Sequence, residues 1–186
     1  MIAGMNYRDL ISKLDEFPQF ARERDVQIAA IKECDEDGII YNELIKRFPE
    51  LKKDKEFIEL GAKRYDGALQ YADQEFLKNK KTFVIRLLKS YKCLVPSAFM
   101  NDKECLLASC NPWMTLDWLD EDLQNDEDII IHFMMNLGDV DALNKVPDKS
   151  LKGKKEFILR LIKSQPPRRY VEGESYLGRT QNNLCN

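Results

Sequence analysis

His132 is the only histidine in the chain, and a general base is more often histidine than any other side chain. No second histidine is present to complete a zinc shell or a Cys-His nucleophile. His132 is therefore expected to be an ordinary helix-surface or half-buried residue. Cys105 and Cys110 stand close enough to suggest a redox or metal pair. Both fall on apolar positions of a helical pattern, where cysteine packs as a small hydrophobe. Five cysteines without a CxxC pair fit free, mostly structural thiols in a reducing compartment. Glu33 to Leu44 imitates an EF-hand calcium loop, with oxygen-bearing residues at the first, third and fifth places and Gly38 at the sixth. The place where a bidentate glutamate must close the shell is Leu44, and Glu43 comes one residue early. A helix end followed by an acidic turn explains the same residues. No catalytic residue, metal or cofactor is expected.

What remains is the chemistry of contact. Asp117, Asp120, Glu121 and Asp122, followed by Asp126, Glu127 and Asp128, make the most lopsided charge feature. Such a run is a solvated approach to a helix start, where acids favour the dipole, or else a docking face for a basic partner. Lys80, Lys81, Lys154 and Lys155 belong to lysine groups that recur along the chain, together with Lys52, Lys53, Lys55 and Lys78. An edge of that kind could follow phosphates or an acidic protein. Trp113 aligns with Tyr65 and Tyr91 as a helix-end packing residue, and core burial is the expected state of both Trp113 and Trp118. Either, if exposed, would be an interface anchor.

The whole chain bounds these readings. Its 186 residues suit one domain with room for a real core. A net charge of −3 opposes a protein dominated by nucleic-acid backbone contacts, which needs a basic excess. The apolar runs are too short to span a bilayer. Neither a secretory leader at the start nor a prenylation motif at the end is expected.

The elements that must position these residues emerge from self-similarity. Segments beginning at Asp54, Lys80, Asp102, Asp126 and Lys154 share a pattern, with a diverged copy near Glu23. Their starts drift around a period of about 25 residues, as stacked helical units do. One apolar column holds Phe57, Phe83, Cys105, Ile129 and Phe157, and the next holds Ile58, Val84, Leu106, Ile130 and Ile158. Further columns follow four and five residues on, which makes one stripe on a helix of about three turns. Asn79, Asn101 and Asn125 are the expected N-caps, with Glu104 and Asp128 completing capping boxes. Leu77, Phe99, Leu123 and Leu151 precede each start and are expected to plug the gap between units.

A shorter second helix is expected in each unit, at Ala68–Ala72, Leu94–Ala98, Leu116–Leu119 and Val140–Leu143. Gly67 and Gly138 would supply left-handed helix stops. The expected architecture is all-α: stacked helical repeats, α-solenoid-like, with an N-terminal helical cap. Residues 1–53 would hold the cap and the diverged first copy, 54–164 the array, and 165–186 an irregular or disordered tail. Within the cap, helices are expected over Tyr7–Leu14 and Ile39–Phe48.

The phrase Lys53-Asp54-Lys55-Glu56-Phe57-Ile58, then Asp66-Gly67-Ala68-Leu69-Gln70-Tyr71-Ala72, resembles the tandem repeats called domain of unknown function 4116. The likeness covers roughly residues 54 to 163, and Cys105, Ser109 and Met114 depart from its usual pattern. It implies helical repeats without assigned catalytic residues. Such repeats occur in Legionella-type effectors, protists and giant viruses, so the resemblance also implies an effector translocated into a host cytosol. Otherwise the expected location is cytoplasmic. The expected function is a non-enzymatic protein-protein interaction module whose partner and oligomeric state the sequence leaves open. The alternatives are an RNA-binding helical repeat protein and a small enzyme with an acidic site within Asp117–Asp128.

Overall fold

The computed structural model describes residues 7–33, 38–137 and 141–164. The described residues form α-helices, 3-10 turns and irregular connections, with no β-strand among them. In order, the helices are α1 (Tyr7–Glu16), α2 (Pro18–Ala21), α3 (Arg24–Glu33), α4 (Ile39–Arg47), α5 (Lys55–Arg64), α6 (Ala68–Tyr71) and α7 (Gln74–Lys78). There follow α8 (Lys81–Ser90), α9 (Lys103–Ala108), α10 (Glu121–Gln124), α11 (Glu127–Met135), α12 (Ala142–Lys145) and α13 (Lys155–Ser164). Short 3-10 turns occupy Pro49–Lys53, Ser97–Phe99, Leu116–Trp118 and Lys149–Gly153.

None of these helices is long enough to be stable alone in water, where roughly 12–15 residues are marginal. Each must bury a face against a neighbour. α5 turns Phe57, Ile58, Gly61 and Ala62 inward, α8 turns Val84, Leu87 and Leu88, and α11 turns Ile129, Ile130 and Phe133. α3 packs on α5, α8 on α9, α9 on α11 and α11 on α13. Leu77, Phe99 and Leu151 are buried between them, and Leu123 is half-buried against the same core. On α13, the last described helix, Phe157 and Leu161 are buried while Leu159 and Ile162 stay exposed.

Helix capping falls one residue later than expected. Asp54, Asp102 and Asp126 adopt the extended conformation that a cap requires. Each carboxylate accepts from an amide three residues on: Phe57 at 2.9 Å, Cys105 at 3.1 Å and Ile129 at 3.1 Å. Asn79 and Asn125 instead end α7 and α10. The Asn125 side-chain oxygen accepts from the distant Asp148 amide at 2.8 Å. Glu104 and Asp128 thus become second helical residues, free to take cations rather than bond back to a cap.

That shift creates a ladder of ion pairs. The first residue of α3, Arg24, reaches Asp54 at 3.0 Å and Glu56 at 2.8 Å. Lys81, the first of α8, reaches Asp102 at 2.7 Å and Glu104 at 2.9 Å. Lys103, the first of α9, reaches Asp126 at 2.8 Å and Asp128 at 2.7 Å. Between α5 and α8 the capping acid is replaced by Lys80, and Lys55 lies over the Phe83 ring instead. Arg86 of α8 returns two bonds to Glu59, at 2.6 and 2.7 Å. Between α11 and α13 the sense reverses, with Arg160 pairing to Glu127 at 2.8 Å and to Asp128.

Two other expectations are corrected. Leu94–Ala98 is not a short α-helix: Leu94 and Val95 are irregular, Pro96 is extended, and the turn Ser97–Phe99 follows. Proline biases the residue before it away from helix. The freed amide of Leu94 donates to Asp66 O at 2.7 Å, and the Gln70 amide donates to Val95 O at 2.7 Å. Gly67 is not left-handed, its φ being −81°. The one described glycine with positive φ is Gly38, at 73°, immediately before α4. Gly61 matters for space: a Cβ there would drive into the ring of buried Tyr41, which stacks on Phe57. Helices at both expected cap positions are present, as α1 and α4. Gly138 and the tail lie outside the described residues, as do Cys34–Asp37 of the calcium-like loop.

Asp126 combines both roles, so Asp126→Ala is expected to cost about 1–2 kcal/mol, the usual loss of a cap. Lys103→Ala removes only a half-exposed cation and is expected to cost less than about 1 kcal/mol. Chemical denaturation of both variants checks this; equal losses would contradict it.

Candidate interaction surface

α9 ends at Ala108, and the chain then turns on buried polar groups. Asn111 is fully buried. Its amide nitrogen donates to Lys92 O, and its oxygen accepts from the Trp113 amide at 2.8 Å. Both ends of the side chain are therefore fixed, and with Pro112 they set the loop that projects Trp113. Beyond it, burial alternates: Met114, Leu116 and Leu119 face the core. The tryptophans take the outward positions rather than the expected core, with Trp113 68% and Trp118 51% exposed. Exposure of that size in the largest apolar side chain is what an interface anchor shows before its partner arrives.

Trp118 forms one wall of a groove of about 200 Å³, whose other apolar walls are Leu94, Val95, Met100 and Met114. Gln70 reaches across its floor with its polar atoms already used, the nitrogen by Val95 O and the oxygen by the Ser97 amide at 3.3 Å. The irregular segment ahead of Pro96 supplies Leu94 and Val95 as a wall.

The charges around this surface sort into two groups. Asp117 pairs with Lys145 at 3.1 Å. A bond from Thr115, then Lys145, holds its carboxyl below the usual range. Asp128 is held low by Lys103 and then Arg160. Asp120, Glu121 and Asp122 are exposed, and no ion pair joins them among the described residues. The sequence contains no lysine or arginine between Lys103 and Lys145. The acids near Trp118 consequently have few local cations to meet.

The expected lysine edge is not a free row. Lys81 is committed to Asp102 and Glu104, Lys53 to Asp73 at 3.4 Å and Lys78 to Glu75 at 2.7 Å. Lys80, Lys154 and Lys155 are exposed, on turns and helices away from the tryptophan loop in sequence. Cys93 and Cys105 are free and buried, and burial pushes both thiols up to about 12. Cys110 Sγ lies 3.2 Å from Leu88 O and 3.3 Å from Tyr91 O; Cys34 and Cys185 lie outside the described residues. No cluster of metal-binding side chains occurs among the described residues, and none of their helices is long and apolar enough to cross a membrane.

Asn111, Met100 and Gln70 were not singled out by sequence reasoning. The Asn-Pro-Trp succession signals a turn, but nothing local reveals that Asn111 spans two backbone segments 19 residues apart. No protein-family model matches the chain, and neither a curated protein nor a solved structure matches it.

His132 supports this surface from below. It is 8% exposed, with Nε2 at 2.9 Å from Ser109 O and Nδ1 at 2.8 Å from the Asn136 amide nitrogen. The neutral ring that donates from Nε2 and accepts at Nδ1 satisfies both. Burial holds its pKa below the ordinary 6.5, partly offset by the Ser109 carbonyl. The unfolded chain therefore binds a proton at higher pH than the folded one does. Stability from this group is complete above 6.5 and is lost as pH falls toward the folded value. Thermal melts between about pH 7 and pH 5 are expected to show a fall in Tm that His132→Asn removes. An unchanged pH profile in the variant would contradict this account.

Proposed function

We propose that the chain is a non-enzymatic protein-interaction module, built as an α-solenoid-like stack of about five helical units with an N-terminal helical cap. The cap would span residues 1–53 and the array 54–164, with 165–186 as an appended tail. Supporting the stack are the packing of α3 on α5, of α8 on α9, of α9 on α11 and of α11 on α13, and the recurrence of capping aspartates at Asp54, Asp102 and Asp126. The observation that carries the interaction reading is the pair of exposed tryptophans, Trp113 and Trp118, held out by a rigid buried frame. Exposed tryptophans a few residues apart are the composition of an interface anchor.

The alternative enzyme reading places an acidic site at Asp117–Asp128. Against it, Asp117 and Asp128 are tied to cations that hold their carboxyls low, which leaves them poor proton donors. The RNA reading is opposed by the net charge of −3 and by lysines already committed to acids. The resemblance to domain of unknown function 4116 supports a further reading, an effector acting in a host cytosol. It rests on the quoted motifs alone.

Affinity capture with the native chain and with the Trp113→Ala, Trp118→Ala double variant tests the module. A partner retained by the native chain should be lost by the variant, while its Tm stays within a few degrees. A partner held equally by both would sink this surface as the site.

A further inference from the structure

Resting on that interaction reading, the charge around the groove points to the chemistry of what it receives. The walls Leu94, Val95, Met100, Met114 and Trp118 offer apolar surface, and the groove's polar atoms are internally satisfied. An engineered cavity of about 150 Å³ holds a benzene ring, so a groove of about 200 Å³ suits a single aromatic or branched aliphatic side chain. The methionines let its walls adjust to either shape. Apolar fit alone would not distinguish partners.

The rim does. Trp118 stands in the same turn as Asp117, and Asp120, Glu121 and Asp122 follow within four residues. Asp117 is already answered by Lys145, and the acids of the ladder by Lys81, Lys103 and Arg160. Asp120, Glu121 and Asp122 have no ion-pair partner among the described residues, and the 104–144 stretch supplies no lysine or arginine for them. They lie two to four residues beyond Trp118, so their negative field accompanies that wall of the groove. Such a field repels nucleic acid and anionic lipid and speeds encounter with cations. An arginine or lysine beside Trp118 would also meet the ring face that favours a cation.

We propose that this groove binds a basic peptide segment of a protein partner. One apolar side chain enters between Met100, Met114 and Trp118, and flanking arginine or lysine side chains pair with Asp120, Glu121 and Asp122. The basic groups select the partner and the apolar side chain anchors it.

The test uses the native full-length protein, whose two tryptophans, Trp113 and Trp118, are both exposed. Its fluorescence is titrated with three short synthetic peptides that alternate arginine with leucine, glutamate with leucine, or arginine with serine. The arginine-leucine peptide is expected to give a saturable change that weakens at least tenfold in the Asp120→Asn, Glu121→Gln, Asp122→Asn variant. The other two peptides should bind at least tenfold more weakly. Circular dichroism of the triple variant, whose changes are all on exposed side chains, confirms that it remains folded.

Equal binding of the glutamate-leucine peptide would overturn the basic-partner inference while leaving an interaction module in place. Tryptophan changes that grow with protein concentration alone, with matching self-association in sedimentation, would also overturn it by assigning the groove to a second copy. Absence of any peptide response would remove this groove as the docking site, whereas the module itself stands or falls on capture by the tryptophan double variant.

Discussion

The fold depends on a single repeated economy: an aspartate that caps one helix also receives the leading cation of an earlier helix packed beside it. Asp54, Asp102 and Asp126 do both. A cap alone would start a helix without saying where it lies. A surface ion pair alone contributes little. Joined in one carboxylate, they fix the start of a helix relative to the start of its neighbour. Short helices whose faces cannot be buried alone are thereby set in order and in register. Where the aspartate is missing, ahead of α8, the Phe83 ring and the Glu59–Arg86 pair take its place.

This arrangement decides which surface groups remain available for recognition. Most charged residues that look like docking patches in the sequence are answered by a neighbouring helix. Lys81 and Lys103 face acids rather than solvent, and Asp128 is shared between Lys103 and Arg160. Besides the exposed Lys80, Lys154 and Lys155, what the ladder leaves over is two tryptophans and three carboxylates on the segment between α9 and α11. That segment is fixed from beneath by Asn111 and by the bond from His132 to Ser109. The exposed groups therefore sit on a rigid mount, which lowers the entropy lost when a partner binds.

The helices were legible because apolar spacing is a local signal. Phe57, Ile58, Ile129 and Ile130 are buried as their columns predict. The caps were misplaced by one residue because Asn and Asp stand side by side at 101–102 and 125–126, and both accept amide bonds. Only the backbone geometry chooses between them. Val95 was misread because Pro96 acts on the residue before it, turning an apolar run into an irregular wall. The exposure of Trp113 and Trp118 was hidden in the sequence: an apolar side chain in an irregular loop carries no periodicity to show which way it faces. The acids Asp120, Glu121 and Asp122 could be separated from the paired ones only once the ladder was visible.

The central claim is that Trp113 and Trp118 stand outside the core of the unliganded chain, and collisional quenching measures this directly. Titrating the protein with acrylamide and with iodide should quench both tryptophans nearly as well as free tryptophan is quenched. Iodide should be weaker than acrylamide beside Asp120, Glu121 and Asp122, and the emission should lie near that of a water-exposed indole. A blue-shifted emission with either tryptophan resistant to acrylamide would contradict the account, because the surface on which it rests would then be core.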